Sequence, residues 1–269
     1  MRRLQSGIAA CLLVTLLACT GCAQPSTVGQ GAADFSNRPM RVVATTNIIG
    51  DLVRQVAGEH VDLTTLMGPG VDPHLYKASE GDVRRMAEAD VVLYNGLDLE
   101  GKMTEVFAQM RQRQIMTSAI ADEGVPDSLR IGSMEYVGNH DPHVWFDVAL
   151  WARAARHVGD VLAQKDTARA EVYRANADAY AQRLDSLDQY VTQQAQRVPE
   201  AQRVLITSHD AFNYLGRAYD IEVRGLQGIS TTSEAGAGDV QALADFVVER
   251  RIPAIFVETS VSPRGIQAV

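Results

Sequence analysis

Three histidines in this chain stand in short loops of similar construction, and their side chains suit a metal ion. His74 and His143 each end an Asp-Pro-His triplet, and His209 follows a β-branched segment that ends in Thr-Ser. Proline restricts its own backbone and that of the residue before it, so a loop of this kind holds its imidazole in place. Neutral imidazole is a good ligand for Zn, Fe and other divalent transition metals. The sequence therefore predicts a metal site formed by these three residues.

Four carboxylates are candidates to support this site. Asp72, Asp141 and Asp210 each lie within two residues of one of the three histidines, and Glu258 ends a strand-like segment. A carboxylate that accepts the second ring N–H of a histidine fixes its tautomer. The alternative role of the three aspartates is turn formation or helix capping. Glu258 is also a candidate for an additional ligand.

The other three histidines are weaker candidates for ligands. His60 and His157 stand among charged or turn residues, and we expect both to be solvated. His140 directly precedes the second Asp-Pro-His triplet, so it could approach the site.

Strand-like and helix-like segments alternate along the chain, which predicts an α/β protein. Residues 203–208, 221–226 and 252–258 are the predicted strands of its last third, and residues 121–141 are predicted as a long polar loop. In an open α/β sheet, the loops at the carboxyl ends of the strands meet in one crevice. This arrangement would bring the three histidine loops together.

The starts of two helices are predicted from adjacent residues. Asn47 is the candidate N-cap of a helix at 48–57, and Ser79 with Asp82 forms a candidate capping box at the start of the next helix.

One long helix is predicted between the two α/β regions. From residue 166 to 198 the apolar residues follow a single helical stripe, roughly 45–50 Å long, and Pro199 ends it. The stripe consists of Tyr173, Tyr180, Leu184, Leu187, Val191 and Val198. The pattern therefore predicts an N-terminal α/β lobe at residues 40–165, a linking helix at 166–199 and a C-terminal lobe at 200–269.

The first 39 residues predict export and a tether. A basic start is followed by the apolar residues 8–18, which is typical of an export signal. Leu-Ala before Cys19 resembles a bacterial lipobox, and Cys22 is a second candidate for lipidation; a plain cleaved signal is the alternative. We therefore assign residues 1–22 to the signal and the polar residues 23–39 to a flexible tether. No cysteine follows residue 22, which excludes disulfides and thiolate ligands from the globular part.

Composition narrows the classes of partner. The 269 residues are 46% hydrophobic and 22% charged, as in ordinary globular proteins, and the net charge is −8. A net negative charge without a basic cluster argues against nucleic acid as a partner.

Several longer motifs resemble those of the zinc/manganese-binding solute-binding proteins of ABC importers, in particular the TroA-like group. These motifs are Val-Asp-Pro-His-Leu-Tyr, Asp-Pro-His-Val-Trp-Phe-Asp-Val, Thr-Ser-His-Asp-Ala-Phe, Gly-Leu-Gln-Gly-Ile-Ser-Thr and Ile-Phe-Val-Glu-Thr-Ser. The resemblance implies two α/β lobes joined by a long rigid helix, with a metal between them. It also implies His74 and His143 as ligands from the first lobe and His209 from the second. The aspartate that is the family's fourth ligand would lie beyond residue 269, and residues 121–139 lack the family's His-rich loop.

The function expected from this resemblance is capture of Zn or Mn outside the inner membrane. Delivery would be to an ABC permease and ATPase on separate chains, by a lipid-anchored, monomeric binding protein that is not an enzyme. One alternative is a zinc metalloenzyme with a three-histidine site, for which Glu258 is the candidate general base. Another is an adhesin, a label that some relatives carry, although no sequence pattern here supports it.

The C-terminal lobe is expected to be incomplete. It has three predicted strands against four in the first lobe, and the last residues begin a helix capped by Ser262. A helix this short is marginal without packing, so we expect a further strand–helix unit.

Overall fold

The computed structural model of the protein describes residues 34–133 and 140–269. It contains two α/β lobes, each with a parallel sheet, and one long helix that connects them in the chain. This confirms the predicted fold class. The predicted export signal and the candidate lipidation residues Cys19 and Cys22 lie outside the described ranges. Within those ranges, no helix has both the length and the apolar character needed to cross a membrane.

The two sheets differ in size. The first lobe comprises β1 (Met40–Thr46), α1 (Asn47–Ala57), β2 (Val61–Met67), α2 (Glu80–Ala87), β3 (Val91–Tyr94), α3 (Thr104–Gln112), β4 (Met116–Ala119), α4 (Ile120–Gly124) and α5 (Val148–Lys165). The long helix α6 (Ala170–Gln196) follows, and the second lobe adds β5 (Val204–His209), α7 (Asn213–Tyr219), β6 (Glu222–Gln227) and α8 (Ala237–Arg250). The first sheet has the order β2-β1-β3-β4, the second pairs β5 with β6, and all pairs are parallel. The carboxyl ends of all strands in a sheet therefore share one edge.

The first sheet is buried on both faces. Successive side chains of a strand point to opposite faces, so Val42 and Ala44 of β1 pack with α1, α5 and α6. Val43, between them, packs with α2 and α3. Helices on both faces are usual for a parallel sheet and explain why the central strands β1 and β3 carry buried apolar residues on both faces.

The local structure of the first lobe follows the sequence closely, with one correction to a helix cap and one to a predicted loop. Ser79 and Asp82 form the predicted capping box at the start of α2. The cap of α1 is Thr46 rather than Asn47, because the Thr46 hydroxyl accepts a hydrogen bond from the Ile49 amide at 3.3 Å. The predicted polar loop at 121–141 is wrong at its start, where α4 occupies Ile120–Gly124.

Helix α6 buries a narrower stripe than its apolar residues predict. Its buried side chains are Tyr173, Ala177, Ala181 and Leu184. Leu187 is exposed, and so is Val198, which lies just beyond the end of the helix. The alanines matter because α6 lies very close to α5: a Cβ added at Gly159 of α5 would lie 2.7 Å from the Ala177 Cβ. Small residues at this crossing allow the two helices to pack directly.

The predicted strand at 252–258 is wrong. In the described part of the second lobe, this segment makes one backbone hydrogen bond to β5, from the Phe256 amide to the Ile206 carbonyl at 2.9 Å. Phe256 and Val257 are more than half exposed. A β-branched and aromatic composition predicts a strand, but a strand also needs a continuous ladder of partners, which this segment does not form.

Candidate metal site

The structure brings the three predicted histidines together at one point. His74 lies in the loop after β2, His143 precedes a 3-10 turn at Val144–Phe146, and His209 is the last residue of β5. Their ring centroids are 5.3 Å (His74–His143), 6.0 Å (His74–His209) and 5.3 Å (His143–His209) apart. One potential ligand atom from each residue lies within 4.8 Å of the others. All three side chains are buried, and they come from both lobes.

The three rings face a cavity of about 280 Å³ between the lobes. Residues 68–74 of the first lobe and residues 258–261 of the second form much of its wall. Trp145 and Phe146 add an aromatic side, and the Trp145 ring meets the His143 ring edge-on at 5.2 Å. A small cavity with apolar walls and convergent nitrogen donors suits a desolvated metal ion.

Burial keeps the His74 imidazole neutral. Desolvation is the largest cause that lowers the pKa of His74 to about 3, and the neighbouring rings of His143 and His209 contribute in the same direction. Nε2 of His74 and Nε2 of His143 are 3.3 Å apart. At neutral pH His74 therefore does not have to lose a proton before it can act as a ligand.

Asp141 holds the His143 ring in one orientation. Its Oδ1 lies 2.7 Å from His143 Nδ1 and also accepts a hydrogen bond from the His143 amide at 2.9 Å. The carboxylate is fully buried. A proton on Nδ1 leaves the free electron pair on Nε2, and Nε2 is the atom that faces His74.

Glu258 has the corresponding position beside His209. Its Oε1 accepts a hydrogen bond from the His209 amide at 3.0 Å. Its Oε2 lies 2.7 Å from His209 Nδ1, close enough for electrostatic attraction although the geometry is not that of a hydrogen bond. Both oxygens thus contact His209, and within the described residues Glu258 does not join the three-residue ligand set.

Asp72 and Asp210 contact the site differently. Asp72 Oδ1 accepts a hydrogen bond from the His74 amide at 2.9 Å, which shapes the loop rather than the tautomer of the ring. Among the described residues, no histidine ring hydrogen-bonds to Asp210. Burial raises the pKa of Asp210, and a hydrogen bond from the Asn213 side chain opposes this shift.

The remaining histidines lie away from the cavity. His60 is exposed, with its ring 6.3 Å from that of Tyr173. His140 is directed to Asp127, with 3.3 Å between its Nε2 and the carboxylate, and not to the three-histidine cluster. The expectation that His157 is solvated is wrong: its Nε2 lies 2.8 Å from the Ser118 hydroxyl, and its side chain is 21% exposed.

Two buried residues that support the His143 loop are not among the predicted site residues. Asn95 follows β3, and its Nδ2 donates to the Pro142 carbonyl at 3.0 Å. Glu100 is 2% exposed and accepts hydrogen bonds from the Asn95 amide at 2.8 Å and the Thr45 hydroxyl at 2.7 Å. Burial raises the pKa of Glu100, and these hydrogen bonds oppose the shift. The position of Asn95 directly after a strand is the signal that could have identified it.

Comparison with known proteins gives consistent matches over most of the chain. The family described as zinc-uptake complex component A, periplasmic, matches residues 42–269. The manganese-binding lipoprotein MntA of Bacillus subtilis (strain 168) is 42% identical over 266 residues, which covers 99% of this chain and 84% of MntA. The zinc-binding protein TroA of Treponema pallidum (strain Nichols) is 45% identical over 241 residues, which covers 90% of this chain and 77% of TroA.

The solved structures agree with these matches. The structure of the periplasmic zinc-binding protein TroA from Treponema pallidum aligns with a TM-score of 0.82 at 46% identity, over 86% of this chain and 82% of that chain. The structure of ZnuA has a TM-score of 0.76 at 24% identity, which bears on the fold alone. The extent and identity of these matches show that the chain belongs to the family described as zinc-uptake complex component A, periplasmic.

Proposed function

We propose that this protein captures Zn²⁺ or Mn²⁺ outside the cytoplasmic membrane and delivers it to an ABC importer. The observation that carries the proposal is the cluster of three buried imidazoles from both lobes around one cavity. Membership in a family described as part of a zinc-uptake complex supports the same function. Two relatives at 42% and 45% identity are named as manganese-binding and zinc-binding proteins.

The proposed ligands are His74, His143 and His209. Three imidazoles with one further position suit Zn²⁺, which is usually four-coordinate and accepts histidine nitrogen as a ligand. Mn²⁺ binds nitrogen donors less tightly than Zn²⁺ does, so its capture would depend on geometry and on metal availability. Asp141 and Glu258 are proposed to orient two of the rings, because each lies 2.7 Å from an Nδ1 atom.

The partners and location follow from the same proposal. A permease and an ATPase on separate chains are the proposed partners, because the chain belongs to a family described as a component of a zinc-uptake complex. We propose a monomer that a lipid at Cys19 or Cys22 attaches to the membrane, with residues 23–39 as its tether. Two relatives are named lipoproteins, and this chain aligns with 84% and 82% of their lengths. Their names support the proposed lipid anchor.

We also infer that the protein acts as a binding protein rather than as a metalloenzyme. A hydrolytic site needs a general base directed at metal-bound water. Glu258 is the candidate for that role, but both of its oxygens contact His209. The relatives at 42% and 45% identity are named for metal binding and not for a reaction.

Calorimetric titration of the metal-free protein tests the proposal. Zn²⁺ and Mn²⁺ should each be titrated into the wild type, and one ion should bind per chain. His74→Ala, His143→Ala and His209→Ala should each weaken binding at least about 100-fold, the upper end of what loss of a supporting residue costs. The exposed His60→Ala is the matched control and should bind as the wild type does.

Two results would contradict the proposal. The first is a wild type that binds neither ion. The second is equal affinity in the His60 variant and the three cluster variants.

A further inference from the structure

The aspartate of each Asp-Pro-His motif is hydrogen-bonded to the second lobe. In each motif, one aspartate oxygen accepts a hydrogen bond from the amide of its own histidine, at 2.9 Å in both cases. The other oxygen accepts from a side chain of the second lobe. Thr231 Oγ1 donates to Asp72 Oδ2 at 2.6 Å, and Asn213 Nδ2 donates to Asp141 Oδ2 at 3.1 Å. Each aspartate thus joins a proposed ligand loop to the opposite lobe.

The connection at Asp141 lies in a firmly packed region. Tyr214 of α7 is fully buried in the core of the first lobe. Its hydroxyl donates to the Asp141 carbonyl and accepts from the Ile131 amide, both at 3.0 Å. The rings of Phe146 and Phe212 also pack together, with their centroids 4.2 Å apart. Many contacts would have to break before the lobes could separate on this side.

The connection at Asp72 is much sparser. Asp72 belongs to the loop 68–76, which forms part of the cavity wall and carries the exposed side chains Val71 and Leu75. Across the described residues, the bond from Thr231 is the one hydrogen bond that joins this loop to the second lobe. Thr231 itself is 7% exposed, so little water competes for its hydroxyl. A single bond to a carboxylate can hold such a loop, because charged acceptors form the stronger hydrogen bonds.

We propose that Asp72 and Thr231 form a latch that holds the His74 loop against the second lobe and slows the release of bound metal. The inference rests on the proposed function, since it concerns the release of the captured ion. Thr231 is a positioning residue: it acts through Asp72 on the backbone of His74. When the bond breaks, the loop can move with His74, and the ion keeps two of its three imidazoles. The packed side at α7 stays in place during this step.

The latch predicts a specific kinetic signature. Loss of the bond favours the open arrangement, from which metal both binds and leaves. The dissociation rate should therefore increase, whereas the association rate should stay the same or rise slightly. A variant that merely loosens the fold would instead lower the melting temperature of the metal-free protein.

The experiment measures Zn²⁺ release from the full chain into an excess of a chelating dye, by stopped flow. Thr231→Val removes the hydroxyl and keeps the shape, and it should release Zn²⁺ about 5- to 20-fold faster. Thr231→Ser keeps the hydroxyl and should release at the wild-type rate. The matched control is Thr232→Val, the same change at the exposed neighbouring residue, which should also be unchanged.

A double-mutant cycle separates the latch from a packing effect. In an Asp72→Ala background, Thr231→Val should give no further acceleration, because the latch is already absent. Thr231→Ala should release as fast as Thr231→Val. Release at the wild-type rate from Thr231→Val, equal acceleration in both backgrounds, or a large difference between the alanine and valine variants would overturn the latch. A wild type that binds no Zn²⁺ would contradict the proposed function and the latch together. Any of the three results above, in a protein that does bind Zn²⁺, would contradict the latch alone.

Discussion

His143 and His209 show how carboxylates can prepare an imidazole for a metal. Each ring has its Nδ1 atom 2.7 Å from a carboxylate oxygen, and the same carboxylate accepts a hydrogen bond from the histidine amide. The two carboxylates come from different places in the chain: Asp141 is a near neighbour of His143, whereas Glu258 is 49 residues from His209. A carboxylate thus lies beside a ring nitrogen once through a short motif and once through tertiary structure, although only the Asp141 contact has the geometry of a hydrogen bond.

Removal of the Glu258 charge should weaken metal binding without removal of a ligand. Glu258→Gln keeps the shape but removes the negative charge that lies 2.7 Å from His209 Nδ1 and favours a proton on that atom. We expect a 10- to 100-fold loss of Zn²⁺ affinity, measured by competition with a chelator. Glu234→Gln, at an exposed position, is the control. Unchanged affinity in Glu258→Gln would show that Glu258 does not orient the ring.

The buried His74 should make the metal-free protein less stable in mild acid. Its pKa is about 3 in the folded protein against 6.5 for the free side chain, because burial disfavours the charged ring. Above pH 6.5 the ring is neutral in both states, so its contribution is constant. Between pH 6.5 and about 3 the unfolded chain takes up a proton that the folded chain does not, so the free energy of unfolding falls as the pH falls.

The size of this effect is at most roughly 1.4 kcal/mol for each pH unit below 6.5. Urea unfolding of the metal-free protein at pH 7 and pH 5 measures it. His74→Gln should lose this part of the pH dependence, and His60→Gln should keep the wild-type slope. The same slope in His74→Gln and the wild type would contradict the depressed pKa.

At the scale of elements, β6 allows β5 to place His209. Gly225 pairs with Thr207 in the parallel register. A Cβ at Gly225 would lie 2.4 Å from the Asp210 amide nitrogen and 2.6 Å from the His209 carbonyl carbon. Any side chain here would therefore push away the backbone that carries the histidine.

Gly225→Ala should displace His209 and destabilise the second lobe. We expect a loss of about 1–3 kcal/mol in the free energy of unfolding, as for other overpacked sites, together with weaker Zn²⁺ binding. Thermal unfolding and calorimetric titration measure the two effects. Gly238→Ala is the control, because no atom lies within 4 Å of its added Cβ and it stands in α8. It should be neutral or slightly stabilising, and similar behaviour of the two variants would contradict the steric explanation.

How far each element could be predicted depends on where its determinants lie. The strands of the first sheet and the capping box at Ser79 follow from adjacent residues, and the structure confirms them. The segment at 252–258 has the composition of a strand, but strand formation depends on partners that a local pattern does not contain. The buried stripe of α6 also differs in part from the prediction, because alanines at the α5 crossing allow a closer approach of the two helices than larger residues would.

The candidate site also combines features that adjacent residues predict with contacts that depend on the fold. The three histidines stand in recognisable loops, and parallel strands bring such loops to one edge. The partners that connect the lobes lie far away in sequence: Thr231 is 159 residues from Asp72, and Asn213 is 72 residues from Asp141. Nothing in the residues around Thr231 or Asn213 indicates these contacts, which exist only in the folded molecule.

At the scale of the whole molecule, α7 joins the two lobes through Tyr214. The ring is buried in the core of the first lobe, while the backbone belongs to the second. Tyr214→Phe keeps the ring and leaves the Ile131 amide and the Asp141 carbonyl without the hydroxyl. We expect a loss of about 1–3 kcal/mol in the free energy of unfolding, measured by denaturant titration. Tyr190→Phe, on an exposed face of α6, is the control, and equal stability of both variants would contradict this account.

At the scale of the whole molecule, the proposed attachment to the membrane depends on the first residues of the chain. The basic start, the apolar residues 8–18 and the small residue before Cys19 predict lipidation of an exported chain. A lipid anchor would hold the metal-binding lobes near a membrane-embedded permease and so raise their local concentration there.

Metabolic labelling with a palmitate analogue should mark the wild type expressed in a bacterial host. Cys19→Ser and Cys22→Ser, tested singly, identify the modified residue, and the double variant should carry no label and should leave the membrane fraction. Cys11→Ser, within the apolar run, is the control and should be labelled like the wild type. An unlabelled wild type, or a double variant that keeps the label, would show that neither cysteine carries the anchor.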